Sequence, residues 1–232
     1  MALHVYRPAW NDRPVEGVLF DMDGLVLDTE KLYCRFWREA AAFFGYEMTY
    51  AQACALSGVG TQSGDAILRS FFGEDAQPDE IRQKRVELMA EFVAENGVEL
   101  KSGIRQLLDY LQERGIPAAI TSSSPIPRIR QYLAFHALEG QFAALCSGRD
   151  VPQGKPAPDI YLKGAQAVGV PPERCLALED APAGLLAAHR AGCLPMMIPD
   201  RVQPDGETEK LLYAKGDSLF DVIAVLEMRA KI

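Results

Sequence analysis

The sequence predicts an α/β fold, a doubly wound parallel sheet interrupted after its first strand by an all-helical insert. Three observations carry this reading. After residue 100, short apolar runs alternate with amphipathic helical stretches. Residues 30–97 hold helical stripes and no convincing strand. The first apolar run, Val18-Leu19-Phe20, ends in an acidic pair, Asp21 and Asp23. The core is therefore assigned to residues 1–29 and 98–232, and the insert to residues 30–97.

The elements follow in chain order. Met1 to Trp10 is too short and too polar for a signal peptide and reads as a short strand or a loose arm. Leu32, Phe36, Trp37, Ala40, Phe43 and Phe44 form a helical core-packing stripe that Gly45 stops. Gly58-Val-Gly60-Thr-Gln-Ser-Gly64 follows no strand, which fails the context test for a dinucleotide-binding loop, so it is read as a flexible loop facing a substrate. Pro78-Asp-Glu80 opens a helix running through Ile81, Leu88, Met89 and Phe92 to Gly97. An all-helical insert in this place reads as a lid.

Ser102 is expected to cap a helix with apolar positions Ile104, Leu107, Leu108 and Leu111, ended by Gly115. Ala118-Ala-Ile120 is a strand opening into Thr121-Ser-Ser-Ser124, and one of these hydroxyls is expected to cap the helix near Pro125. Phe142 to Cys146, Cys175 to Leu178 and Leu194 to Ile198 are the remaining strands.

Composition narrows the function. The chain has 232 residues, 48% of them hydrophobic, enough for one core with a small insert. Its net charge of −8 and the lack of a basic stripe argue against nucleic acid. An acidic protein that takes an anionic substrate needs a local positive spot, from a metal and a few placed Lys or Arg. The five cysteines form no Cys-x-x-Cys, which points to free thiols in a reducing cytosol. No run approaches the about 20 apolar residues of a membrane span.

Two carboxylates this close at a strand end push one pKa up unless a cation intervenes. In an open parallel sheet, reactive groups collect beyond the C-terminal strand ends. Asp21, Thr121 and Asp180 each follow a predicted strand, and Lys155 sits in the loop Gly154-Lys-Pro-Ala-Pro-Asp159. The register of the hydroxyl run is open. Counting from Ile116-Pro117 favours Ser122, and the first hydroxyl after the strand favours Thr121, which is preferred.

Phe20-Asp-Met-Asp-Gly-Leu-Val-Leu-Asp-Thr-Glu30 resembles the first motif of the haloacid-dehalogenase-like hydrolases, with their Rossmann-like core and helical cap. The other three motifs follow in order, so the resemblance covers the chain from about Val18 onward. It implies Asp21 as the nucleophile that forms an aspartyl-phosphate and Asp23 as the general acid and base. It further implies Thr121 or Ser122 as the phosphate-binding hydroxyl and Lys155 as the neutralising cation. The metal would be Mg2+, held by Asp21, the Asp23 carbonyl and Asp180, with Glu179 direct or through water. His4, His136 and His189 are scattered and do not favour zinc.

Asp23 argues against a dehalogenase. A sugar phosphomutase of the beta-phosphoglucomutase kind carries a His, a Lys and an Arg where this chain has Tyr33, Ser57 and Thr61. The wording of the motifs is similar to pseudouridine-5'-phosphatase-like proteins. The resemblance therefore implies a cytosolic, monomeric, Mg2+-dependent phosphatase of a small phosphorylated metabolite, a sugar or nucleotide monophosphate. It implies no nucleic-acid or membrane partner. A phosphomutase and a non-catalytic binding protein on the same fold are the alternatives.

Overall fold

The computed structural model describes residues 3–6, 14–56, 59 and 61–229. The chain divides into two compact units, Asp28–Glu99 and the remainder.

The larger unit is built on a sheet of order β1-β7-β6-β5-β2-β3-β4. Its strands are β1 (His4–Val5), β2 (Gly17–Phe20), β3 (Ala118–Ser122), β4 (Ala144–Ser147), β5 (Cys175–Glu179), β6 (Leu194–Met197) and β7 (Ala214–Lys215). All pairs are parallel except β1 with β7. The central strands β2, β3 and β5 are buried along their whole length, which explains their unbroken apolar runs. Phe20 pairs with Ile120 on one side and Leu178 on the other, so the next residues, Asp21, Thr121 and Glu179, stand level at the same sheet end.

The helices of this unit are α5 (Ile104–Glu113), α6 (Ile126–Phe135), α7 (Asp159–Val168), α8 (Pro182–Arg190), the single turn α9 (Gly206–Glu209) and α10 (Leu219–Arg229). On α5, Ile104, Leu107, Leu108 and Leu111 are buried as the spacing predicts. The residue preceding α5 is Gly103 at φ 91°, not Ser102, and its open Cα lets the Phe220 backbone and ring approach. No hydroxyl caps α6 either. Pro125 itself holds that position, because β3 extends two residues further than its apolar run and draws Thr121 and Ser122 into the sheet.

The helical unit comprises α1 (Thr29–Phe43), α2 (Tyr50–Cys54), α3 (Thr61–Phe72) and α4 (Pro78–Asn96). Its interior gathers Trp37, Ala40, Ala53, Leu56, Leu68 and Ile81. Thr49 and Gln52 form a reciprocal capping box that starts α2. Pro78 sits in the first turn of α4, as predicted, and Gly97 ends it at φ 70°.

Two expectations fail here. Phe43 is 65% exposed, at the margin of the packed face, with the Lys84 ammonium over its ring. Thr61 to Gly64 are the first residues of α3 and not a loop, while Ser57, Gly58 and Gly60 lie outside the described residues. Among the described residues no helix is long and apolar enough to cross a membrane.

Candidate active site

The site grows from the end of β2. Asp21 donates its backbone N–H to the Leu178 carbonyl at 3.0 Å, which ties it to β5 beyond the last strand residue. The chain then turns on itself. The amides of Val26 and Leu27 both reach back to the Met22 carbonyl, and Gly24, at φ 83°, donates to Leu27. A side chain is disfavoured at that φ, which accounts for glycine after the acidic pair.

Lys155 joins the two strand ends. Its ammonium lies 2.5 Å from Asp21 Oδ1 and 2.7 Å from Glu179 Oε1, with all three side chains nearly or fully buried. The same Glu179 oxygen accepts a hydrogen bond from the Tyr161 hydroxyl on α7. Burial alone would strip the proton from Lys155, but the charges of Asp21 and Glu179 outweigh it and hold its pKa above the usual lysine value. Burial, and then the neighbouring Asp21 charge, push Glu179 above the usual carboxylate range, against the pull of Lys155. Burial and the Glu179 charge push Tyr161 well above a normal phenol, so it stays a donor.

Glu179 is seated by glycine. A methyl group at Gly184 on α8 would collide with the Glu179 carboxylate. The N-cap position of α8 is held by Ala181, which offers no side-chain cap of its own.

Adjacent residues of β3 separate by the strand's period of two. Thr121 is fully buried, donates its hydroxyl to the Phe20 carbonyl at 3.1 Å, and packs so closely on α7 that a Cβ at Gly164 would lie 2.7 Å from its methyl group. Ser122 faces the other way, 3.5 Å from Asp23 Oδ2. Ser124 approaches the same oxygen at 3.2 Å. The sheet end thus joins Asp21, Lys155 and Glu179 by direct ion pairs, sets Ser122 against Asp23, and commits the Thr121 hydroxyl to the backbone.

Ligand oxygens of Asp21, Glu179 and Asp180 lie within 4.8 Å of one another. Three hard carboxylates opposed by one ammonium leave net negative charge, and that donor set suits a divalent cation of the Mg2+ type.

Tyr161 and Ser124 were not singled out in the sequence. A polar aromatic on the buried face of the helix after Lys155 was the available signal for Tyr161. For Ser124 there was only its place in a run of four hydroxyls.

Comparison with known proteins bears on the family. A family model described as haloacid dehalogenase-like hydrolase matches residues 15–192. Hexitol phosphatase A of Escherichia coli (strain K12) is 34% identical over 181 residues, covering 77% of this chain and 80% of that protein. A Drosophila melanogaster protein named "Probable pseudouridine-5'-phosphatase" is 32% identical over 195 residues, covering 81% of this chain and 83% of that one. The crystal structure of a HAD family hydrolase from Deinococcus radiodurans R1, with bound phosphate and sodium, superposes with a TM-score of 0.80. It is 25% identical, with 94% of this chain and 98% of that one covered.

Proposed function

The chain belongs to the haloacid dehalogenase-like hydrolases, and from that premise we propose that it is a Mg2+-dependent phosphatase acting through an aspartyl-phosphate. Its substrate would be a small phosphorylated metabolite, a sugar or nucleotide monophosphate, as the names of its phosphatase relatives suggest. The observation that carries the reading is the buried Asp21–Lys155–Glu179 chain with a second carboxylate, Asp23, beside it. A carbon–halogen hydrolase has no use for that second acid, whereas phosphoryl transfer to oxygen needs one.

Each residue has a task that its surroundings favour. Asp21 attacks phosphorus, forming an O–P bond as the ester P–O bond breaks. Lys155, paired with the Asp21 carboxylate, offsets charge on the phosphoryl oxygens. Asp23 gives its proton to the leaving oxygen, then takes one from the water that attacks the aspartyl-phosphate and restores Asp21. Ser122, rather than Thr121, is the hydroxyl suited to the phosphoryl group, because that of Thr121 already serves Phe20. Asp21, the Asp23 carbonyl and Asp180 would hold Mg2+, with Glu179 beside them. When bound, the ion would draw charge from the phosphoryl oxygens.

The helical insert is assigned the part of a cap that selects the substrate. The same reading makes the enzyme a cytoplasmic monomer with no nucleic-acid or membrane partner.

The test is phosphate release with and without Mg2+ across sugar phosphates and nucleoside monophosphates, including pseudouridine 5'-phosphate. Metal-dependent release from a narrow group is expected. No release, together with isomerisation of a sugar phosphate, would replace the phosphatase by a mutase.

A further inference from the structure

Two hydroxyls meet the Asp23 carboxylate, and they are anchored differently. Ser122 Oγ accepts the backbone N–H of Ser124 at 3.1 Å, and its contact with Asp23 is the longer one. Ser124 is fixed from the neighbouring strand. Its carbonyl accepts the Ser147 hydroxyl at 2.8 Å, and Ser147 Oγ in turn accepts the Arg149 amide at 3.0 Å. A Cβ at Gly148 would lie 3.2 Å from the Ser123 Cα, so the end of β4 presses directly against this turn. Ser122, Ser124 and Ser147 are all buried.

A hydroxyl has one proton to donate. When a phosphoryl group engages Ser122, that proton leaves Asp23, and Ser124 is the hydroxyl that stays. We propose that Ser124 is a positioning residue for Asp23, seated by Ser147 and Gly148, which holds the carboxyl toward the leaving group. The present contacts, at 3.2 and 3.5 Å, are longer than an ideal O–H···O bond, as is common before substrate tightens such a site. This inference rests on Asp23 being the acid and base.

The test separates the two ideas by leaving group. The quantity measured is kcat/KM, which reports on the first transfer, for a nitrophenyl phosphate and for an alkyl phosphate. The nitrophenol departs with little help, while the alcohol needs the proton. Ser124→Ala should lower kcat/KM for the alkyl ester about tenfold more than for the aryl ester. Ser124→Thr should recover most of the difference. Equal losses on both esters, with Asp23→Asn still selective, would overturn the role of Ser124 and leave that of Asp23 standing. Equal losses for Asp23→Asn as well would overturn the acid assignment itself.

A separate observation lies in the helical unit. Cys34 on α1 and Cys54 at the end of α2, twenty residues apart, place their sulfurs 2.9 Å from each other. Cys34 is fully buried in the helical core, and Cys54 is half-buried. In the other unit, Cys146, Cys175 and Cys193 are all buried. The geometry points to Cys34 and Cys54 as a modification site that a hydroperoxide converts to a disulfide. The Cys54 thiolate attacks the peroxide, an S–O bond forms as the O–O bond breaks, and the departing oxygen leaves protonated. Cys34 sulfur then attacks the sulfenyl sulfur, the S–S bond forms, and the hydroxyl leaves with the thiol proton as water.

The full chain treated with hydrogen peroxide should lose two alkylatable thiols and yield a Cys34–Cys54 linked peptide that dithiothreitol reverses. Cys54→Ser, at the half-buried position, should form no cross-link. Retention of all five thiols, or a linked peptide joining other cysteines, would overturn the assignment. Cys34→Ala repeats the test from the other partner.

Discussion

The two units of this protein bury different kinds of groups. At the sheet end of the α/β unit, Asp21, Thr121, Ser122, Ser124, Ser147 and Glu179 are all removed from water. The helical unit packs Trp37, Leu68, Ile81 and their neighbours around an apolar interior, and among its described residues the buried polar ones are Asp28 and Thr29, where it begins. A buried polar group costs free energy unless it is partnered, and a buried charge costs much more. The first unit meets that cost with a continuous chain of partners, Tyr161 to Glu179 to Lys155 to Asp21. Stability alone does not call for such an arrangement, whereas the helical interior needs no other explanation. The contrast supports placing the proposed chemistry at the sheet end.

The comparison can be broken most sharply at Asp21. Asp21→Asn should take turnover to background while leaving thermal unfolding close to wild type, since Lys155 keeps Glu179. A variant that turns over normally would remove the nucleophile role, and one that fails to fold would put that carboxylate in a structural role. Asp23→Asn should cost about 10^2- to 10^4-fold in kcat.

Gly184→Ala sharpens the link between the sheet end and its support. The added methyl must displace Glu179, and with it Lys155, so activity should fall about a hundredfold although residue 184 touches no substrate. Steady-state kinetics beside a circular dichroism spectrum would check this.

In the helical unit the losses should appear in stability. Trp37→Ala should cost about 3–5 kcal/mol in urea unfolding of that unit. Phe43→Ala, on the same helix but exposed, should stay within about 0.5 kcal/mol. Equal effects would mean that Phe43 is covered in solution.

The smallest effect belongs to a site away from both. Asp205 accepts the Thr208 amide at 2.8 Å, and that hydrogen bond holds its pKa below the ordinary 3.8. A depressed folded pKa means the cap contributes above the unfolded value and is lost as pH falls through the folded one. Asp205→Ala should therefore lower the melting temperature slightly at pH 7, and the difference from wild type should vanish in acid.

Much of this was legible in the chain. Val18 to Asp23 and Cys175 to Asp180 read directly as buried strands ending in acid, because an apolar run that stops at carboxylates has few other meanings. Lys155 was legible from the Pro-rich loop around it. The hydroxyl was not. Thr121 and Ser122 are neighbours of like chemistry, and only the pairing of β3 with β4 carries the strand through both and turns them to opposite faces. Phe43 failed for a related reason, since a helical stripe shows which residues share a face and not how wide a part of that face the neighbours cover.

The sequence by itself determined the α/β sheet, the helical insert, the acidic pair, Lys155 and the reaction class they imply, because periodicity and short motifs act through neighbours along the chain. The tertiary structure alone decided that Ser122 and not Thr121 meets Asp23, that Ser124 stands behind it, that Tyr161 and Gly184 hold Glu179, and that Cys34 meets Cys54. Each of these depends on strand register or helix packing between residues distant in sequence, and no local pattern encodes a distance across the fold.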